Sequence, residues 1–277
     1  MPELPEVETV VRGLAARIKG HRVARLDLHR GDLRWKLPRG LKAKVEGRLI
    51  EQVERRAKYI LVRLEGGGVL LMHLGMSGRL LVVERNMPGE AERHDHVVFH
   101  LDDGTRIRFN DPRRFGMLDY VEAGNLAKHR LLRGLGPEPL GPEFTADRLA
   151  AALKGKRTPL KAALLDQRIV AGLGNIYVCE SLYFAGLSPR RLARTLTPER
   201  AARLVRAIRD VLGRAVAAGG SSMRDYVQTS GELGYFQHHW AVYGREGEPC
   251  PGCDCAQGIR RIVQSGRSTF YCVKRQR

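Results

Sequence analysis

The hydrophobic pattern of this chain changes character near Leu132, and that change limits the folds open to it. Between residues 21 and 122 the apolar residues come in short runs: RVARLDLH, KYILVRLE, GVLLMHLG, RLLVVE, HVVFHL and TRIRF. Each is rich in β-branched or aliphatic residues and bounded by turn formers, the mark of strands. Gly66–Gly68 and Asp102–Asp103–Gly104 are hairpin signals. Several short strands at this spacing point to a β-sandwich or barrel. Past the Gly/Pro-rich RGLGPEPLGPEF, which reads as a linker, the period becomes helical from about 145 to 218, as in ADRLAAALKG and PERAARLVRAIRDVLGRAVAAG. Thr197-Pro198-Glu199 reads as a cap with proline in the first turn. The segment 219–236 is weakly periodic and reads as a loop.

A further helix precedes the strands. Val7, Val10, Val11, Leu14 and Ile18 recur at helical spacing, Pro5 suits a first turn and Gly20 a stop, so a helix is expected over about 5–19. The arm before it, MPELPEVETV, crowds Glu3, Glu6 and Glu8 around two prolines, in a chain with 48 Lys and Arg against 30 Asp and Glu and a net charge of +18. Such an excess of cations fits a polyanionic partner, with nucleic acid ahead of a membrane surface because no basic amphipathic helix stands out. No run of 18 apolar residues implies a membrane span, and no signal pattern opens the chain, which points to the cytoplasm.

The arm admits two readings. Removal of Met1 leaves Pro2 as a terminal secondary amine; α-amino groups titrate near ~7.7–8.0, so part is unprotonated at neutral pH and can attack an aldehyde carbon. Glu3 and Glu6 can then move protons. The plainer reading is an acidic first turn complementing the helix dipole. Other motifs are equally two-sided. In MHLGMSGRL (72–80), Met76 on a tight loop can wedge between bases or fill a core. In NDPRRFG (110–116), Arg113 and Phe115 suit phosphate and base stacking, or a surface turn around one buried aromatic. In QRIVAGLGNIYVCESL, glycines break one helix and start another with Asn175 near its N-terminus, where free N–H groups can bind phosphate.

Five cysteines in a chain without a secretory pattern argue against disulfides. Cys179 reads as a small core residue. Cys250, Cys253, Cys255 and Cys272 cluster as metal ligands do, around a basic hairpin whose tip, SGRST, presents Arg267. Residues 256–277 hold six Lys or Arg and no acid.

In order along the chain, MPELPEVET, AKYI, HLGMSGR, DPRRFG, GLGNIY, VYGR and GRSTFYC closely resemble the formamidopyrimidine-DNA glycosylase family of bacterial base-excision repair enzymes. The resemblance spans essentially the whole chain. It implies an α+β multidomain chain: an N-terminal β-sandwich with its N-terminal helix (1–132), a helix–two-turns–helix domain (133–238) and a C-terminal zinc-finger-like β-hairpin (239–277). It implies excision of 8-oxoguanine and formamidopyrimidines from double-stranded DNA by a monomer near the nucleoid, with abasic-site lyase activity and no cofactor in the chemistry.

The same resemblance implies roles for single residues. Pro2 attacks C1′, Glu3 helps open the sugar ring, Lys58 assists β-elimination, Arg267 assists δ-elimination, and Glu6 helps hold the site. Met76, Arg113 and Phe115 fill the space left by the extruded base, which lowers the few kcal/mol that extrusion costs. His94, Arg113, Lys156 and Asn175 match DNA-contacting positions, with His73, Tyr243 and Arg267 as further phosphate contacts. The 219–236 segment becomes a loop around the flipped base. One structural zinc is implied, on two C-x2-C pairs. The first is Cys250 and Cys253; the second falls on Cys272 and position 275, which here is Arg275. Arginine offers no lone pair to a metal. A site completed by Cys255, a three-cysteine site completed by water and a metal-free hairpin all stay open. Two other readings keep parts of the pattern. An endonuclease VIII-like enzyme for oxidised pyrimidines shares Pro2 and Glu3, but ELPEVET favours the purine branch. A non-enzymatic DNA-binding zinc ribbon leaves Pro2 and Glu3 without a role.

Overall fold

The computed structural model describes residues 1–85, 92–221 and 235–277. Most of the expected 219–236 loop, residues 222–234, therefore lies outside the described residues. Two compact units emerge: Met1–Arg133 with Ala218–Tyr235, and Gly134–Ala217 with Phe236–Arg277.

The first unit opens with α1 (Leu4–Ile18), whose buried Leu4, Val7, Val10, Val11, Leu14 and Ile18 follow the helical repeat read from the sequence. Its start is fixed by a reciprocal capping box: the Glu3 side chain accepts the Glu6 N–H, and the Glu6 side chain accepts the Glu3 N–H. Strands β1 (Val23–Leu28), β2 (Ile50–Arg56), β3 (Tyr59–Leu64), β4 (Val69–His73), β5 (Arg79–Val83), β6 (Asp95–Leu101), β7 (Arg106–Asn110) and β8 (Met117–Val121) follow, with a short α2 (Leu41–Val45) between β1 and β2.

They form two four-stranded antiparallel sheets, ordered β1-β6-β7-β5 and β2-β3-β4-β8. Leu26, Leu80, Val97, Phe99, Ile107 and Phe109 of one sheet share a core with Ile50, Val53, Ile60, Val62, Leu64, Leu70, Met72 and Leu118 of the other. The expected sandwich is thus present, and α1 packs onto β2, β3 and β5. Two strands escaped the sequence reading. In β2 the buried Ile50 and Val53 are three residues apart, because the register shifts between Ile50 and Gln52 and breaks the alternation of a regular strand. β8, MLDYV, is only five residues long.

The second unit is built on helices α3 (Ala146–Leu153), α4 (Leu160–Leu164), α5 (Asn175–Phe184) and α6 (Pro198–Ala217). α5 is buried from Ile176 to Tyr183, as suits a helix apolar on every side. Thr145 caps α3 by accepting the Arg148 N–H, and Thr197 caps α6, its hydroxyl accepting the Arg200 N–H and its carbonyl the Ala201 N–H. The Gly/Pro-rich segment before α3 packs back on this unit: Gly136 N–H donates to the Gln167 carbonyl and Ala171 N–H to the Pro137 carbonyl. The hairpin β9 (Arg260–Gln264) and β10 (Arg267–Tyr271) lies against α5. No helix among the described residues is long and apolar enough to cross a membrane.

The two phenylalanines of the 109–115 stretch separate core from surface. Phe109 is fully buried, whereas Phe115 is 44% exposed, so Phe115 is not the buried aromatic that a plain surface turn would hold. Phe109→Ala should lower the unfolding free energy by about 3–5 kcal/mol, and Phe115→Ala by less than about 0.5 kcal/mol. Urea unfolding of the two variants checks this contrast.

Candidate functional site

In the first unit the amino terminus is the organising feature. Pro2 and Glu3 are buried just ahead of α1. Glu6, 1% exposed, accepts the Glu3 N–H on Oε2 and the Ser221 N–H on Oε1, each at 2.8 Å. Each oxygen of Glu6 thus holds backbone, one on the terminal arm and one on the segment after Ala218. Gly220 closes over this contact with φ +78°; a Cβ there would meet the Glu6 side chain at 3.1 Å.

Lys58 sits in the two-residue turn between β2 and β3 and is buried. The preceding Ala57 has φ +54°. Arg55 ties the turn to α1, donating from Nη1 to the Ala57 carbonyl at 3.0 Å and from Nε to Glu8 at 2.8 Å. His73 ends β4 across from Tyr59, with ring centroids 5.1 Å apart. Burial, followed by the positive charges of Lys58, Arg34 and the amino terminus, lowers the His73 pKa to about 4. Its Nδ1 accepts the Gly75 N–H at 2.9 Å, so in the neutral ring the proton sits on Nε2, which can donate. The positive charges of the amino terminus and Lys58 thus both bear on a neutral His73, and Glu3 and Glu6 lie buried at the start of the chain.

The MHLGMSGRL and DPRRFG loops are held together by Asp111. Its Oδ1 accepts from Ser77 Oγ at 2.6 Å, and its Oδ2 accepts the Gly116 N–H at 2.7 Å. Ser77 Oγ in turn accepts the Arg113 N–H at 3.3 Å. Gly75 has φ +62°, and a Cβ on it would lie 2.3 Å from the Phe115 carbonyl carbon, so only glycine lets the loops meet. Met76 is half-buried and outside the core. Arg113 and Phe115 are exposed, the guanidinium lying 4.9 Å from the ring centroid. His94 flanks the same turn, its carbonyl accepting the Asp111 N–H.

The second unit gathers Asn175, Tyr243 and the hairpin that bears Arg267. Asn175 starts α5; its Nδ2 donates to the Ser268 carbonyl at 2.9 Å and lies 3.5 Å from the Tyr243 hydroxyl. Ser265 and Gly266, both at positive φ, make the hairpin turn, and Arg267 follows it, exposed. Lys156 lies on the turn after α3, where its carbonyl accepts the Arg194 N–H.

Two buried residues that sequence reasoning passed over hold this arrangement. Lys161, fully buried, donates to Thr269 Oγ1 at 2.8 Å and to the Ser268 carbonyl at 3.1 Å. Glu180, also fully buried, accepts the N–H groups of Ala241, Val242 and Tyr243 at 2.8–2.9 Å. Burial pushes the Glu180 pKa up, against the pull of those three donors. A charged residue inside an apolar helix was the available signal for both.

The sulfur atoms of Cys250, Cys253, Cys255 and Cys272 all lie within 4.8 Å of one another and can bind a metal ion. Burial raises the Cys250 thiol, but the Tyr183 hydroxyl and the Gly252 N–H outweigh it and bring the pKa to about 7. Burial and the Cys255 thiol push Cys253 up to about 12. Cys179 is buried in the apolar cluster beneath them.

Residues 1–118 match the formamidopyrimidine-DNA glycosylase N-terminal domain, and residues 135–227 the H2TH domain of the same glycosylases. The formamidopyrimidine-DNA glycosylase of Rhodospirillum centenum is 58% identical over 291 residues, covering 100% of both chains. Among solved structures, the MutM (Fpg) protein of Thermus thermophilus is 45% identical with a TM-score of 0.87, covering 99% of this chain and 98% of its own. The Lactococcus lactis Fpg, solved in complex with DNA containing N7-benzyl-Fapy-dG, is 32% identical with a TM-score of 0.89, covering 100% of both chains.

The neutral His73 makes stability depend on pH. The folded chain leaves it unprotonated down to about pH 4, while the unfolded chain protonates it near 6.5. Its contribution is therefore fully present above pH 6.5 and is lost as pH falls towards 4, by about 3 kcal/mol in total. Urea unfolding from pH 7 to pH 4 should show this slope in the native chain and a flatter one in His73→Asn. Equal slopes would remove His73 as its source.

Proposed function

The chain belongs to the formamidopyrimidine-DNA glycosylase family, whose members combine base excision with abasic-site cleavage, and on that footing we propose that it excises 8-oxoguanine and formamidopyrimidines from duplex DNA through a Schiff base on Pro2. The observation that carries this reading is the buried Pro2–Glu3 arm, held at its root by Glu6. An acidic first turn serving only the helix dipole gains nothing from being enclosed.

Once Met1 is removed, the Pro2 nitrogen attacks C1′ of the damaged nucleotide. The bond to the base breaks, the base departs with a proton, and opening of the sugar ring leaves a cationic iminium on Pro2. Glu3 is the proton donor for ring opening. Loss of a C2′ proton then expels the 3′ phosphate, assisted by Lys58, and a second elimination expels the 5′ phosphate, assisted by Arg267. Glu6 keeps the arm in place through the Glu3 and Ser221 N–H groups.

His73, as a neutral Nε2–H donor, contacts phosphate without adding charge to a neighbourhood already cationic. His94, Arg113, Lys156, Asn175 and Tyr243 contact the DNA backbone, in keeping with the +18 net charge. Met76, Arg113 and Phe115 enter the space of the extruded base; their shared mounting on Asp111 lets them act as one wedge. The cysteine cluster holds one structural zinc that staples the Arg267 hairpin. The protein acts as a monomer in the cytoplasm, at the nucleoid.

Borohydride reduction in the presence of an 8-oxoguanine duplex should link the protein covalently to DNA. A retained N-terminal tag should abolish the link; full trapping by the tagged chain would sink the Pro2 assignment. Met76→Ala and Phe115→Ala should slow excision from duplex by more than they weaken binding to undamaged DNA. Equal losses in the two measurements would remove both residues from the extrusion step.

A further inference from the structure

The cysteine pattern of the finger differs from the family's at one position, and the surrounding contacts say how the difference is absorbed. This inference rests on the zinc reading above and concerns which residues of this chain serve the metal. Four thiolates around zinc at about 2.3 Å form a tetrahedron whose sulfur–sulfur edges are about 3.8 Å. Here Cys272 Sγ lies 3.5 Å from both Cys253 Sγ and Cys255 Sγ, and no pair among the four sulfurs exceeds 4.8 Å. Cys255 therefore stands with the other three on the scale of a metal site, although only Asp254 separates it from Cys253.

Arg275 occupies the family's remaining cysteine position. Its guanidinium lies over the Tyr183 ring at 4.9 Å, and its Nη1 donates to the Gly252 carbonyl at 3.3 Å. Gly252 lies between Cys250 and Cys253. It has no room for a side chain: a Cβ would lie 2.5 Å from the Tyr183 hydroxyl and 2.7 Å from Arg275 Nη1. The neighbouring Lys274 pairs with Asp254, which lies between Cys253 and Cys255. Two successive cations of the terminal turn thus grip the one cysteine-bearing segment, 250–255, to which a metal bond from position 275 would tie that turn. Four thiolates on one zinc carry a net charge of −2, which Lys274 and Arg275 are placed to offset.

We propose that Cys255 is the fourth zinc ligand, giving a C-x2-C-x-C…C site with Cys250, Cys253 and Cys272, and that Arg275 has exchanged the ligand's role for that of a clamp on the first knuckle. Metal binding releases the thiol protons, and no oxidant or reductant takes part.

The test uses the full chain. Zinc per chain is measured by elemental analysis, and the thiolate-to-metal charge-transfer absorption is read after exchange into cobalt(II). The native chain should hold one zinc and give a four-thiolate spectrum. Cys255→Ser should lower the charge-transfer intensity by about a quarter and weaken metal retention against a chelator by at least the ~10–100-fold that loss of an outer-shell partner alone costs. Cys255→His keeps a ligand at the site should the serine variant not fold; it should hold a full equivalent while its spectrum shifts to three thiolates and one imidazole. Arg275→Ala should keep the four-thiolate spectrum but release metal to the chelator faster. An unchanged spectrum in Cys255→Ser or Cys255→His, with zinc present in the native chain, overturns the ligand assignment and leaves the zinc reading standing. Unchanged release in Arg275→Ala overturns the clamp. A native chain that takes up neither zinc nor cobalt overturns the zinc reading itself.

Discussion

Two hydrogen bonds to one buried carboxylate fix the geometry at the start of the chain. Glu6 holds the Glu3 N–H with one oxygen and the Ser221 N–H with the other. A terminus is ordinarily the least ordered part of a fold. Here α1 supplies a rigid base through its buried apolar stripe, and Glu6 converts that rigidity into a fixed position for the residues ahead of it. Chemistry assigned to Pro2 and Glu3 depends on such a base, because a reacting group displaced by even about 1 Å loses much of its advantage. The helix dipole and the capping box act in the same direction, so the acidic character of the arm serves structure and reaction together.

Much of this was legible in the sequence because it depends on local spacing. The α1 stripe, the break before Asn175 and the switch from strand to helix periodicity all appear within a few residues of one another. β2 was not legible, because a bulge after Ile50 put its two buried residues out of phase. The positions proposed as catalytic and DNA-contacting came from ordered motifs, and their residue types already suggested the chemistry. What stayed hidden is the bracing between distant positions. Asp111 and Ser77 are 34 residues apart, Lys161 and Thr269 are 108 apart, and Glu180 reaches 61 to 63 residues to its three donors. No periodicity encodes such pairs; a buried charge reveals itself only when the fold supplies its partner.

The +18 surface suits a long polyanion, yet His73, close to Lys58, Arg34 and the terminus, is kept neutral by burial and by those same cations. Holding the imidazole neutral leaves the field to the two groups whose charge state matters to the proposed reaction. It also keeps a directional donor where phosphate contacts are expected.

Lys161 carries a consequence for the hairpin that reaches beyond its two hydrogen bonds. A two-stranded sheet specifies its alignment poorly, and slipping by one residue exchanges the faces of every side chain in it. In the observed pairing Arg267, Thr269 and Tyr271 share a face, and the Thr269 hydroxyl meets the Lys161 ammonium. A slip of one residue that brought the ring of Phe270 to that face would carry the hydroxyl away and leave a fully buried ammonium with one acceptor fewer. The same slip would move Cys272 off its partners and turn Arg267 over. Lys161 therefore acts as an internal gauge of strand alignment: misaligned hairpins are penalised two residues from Arg267, at a point buried beneath the strand, before they can present that arginine on the wrong side.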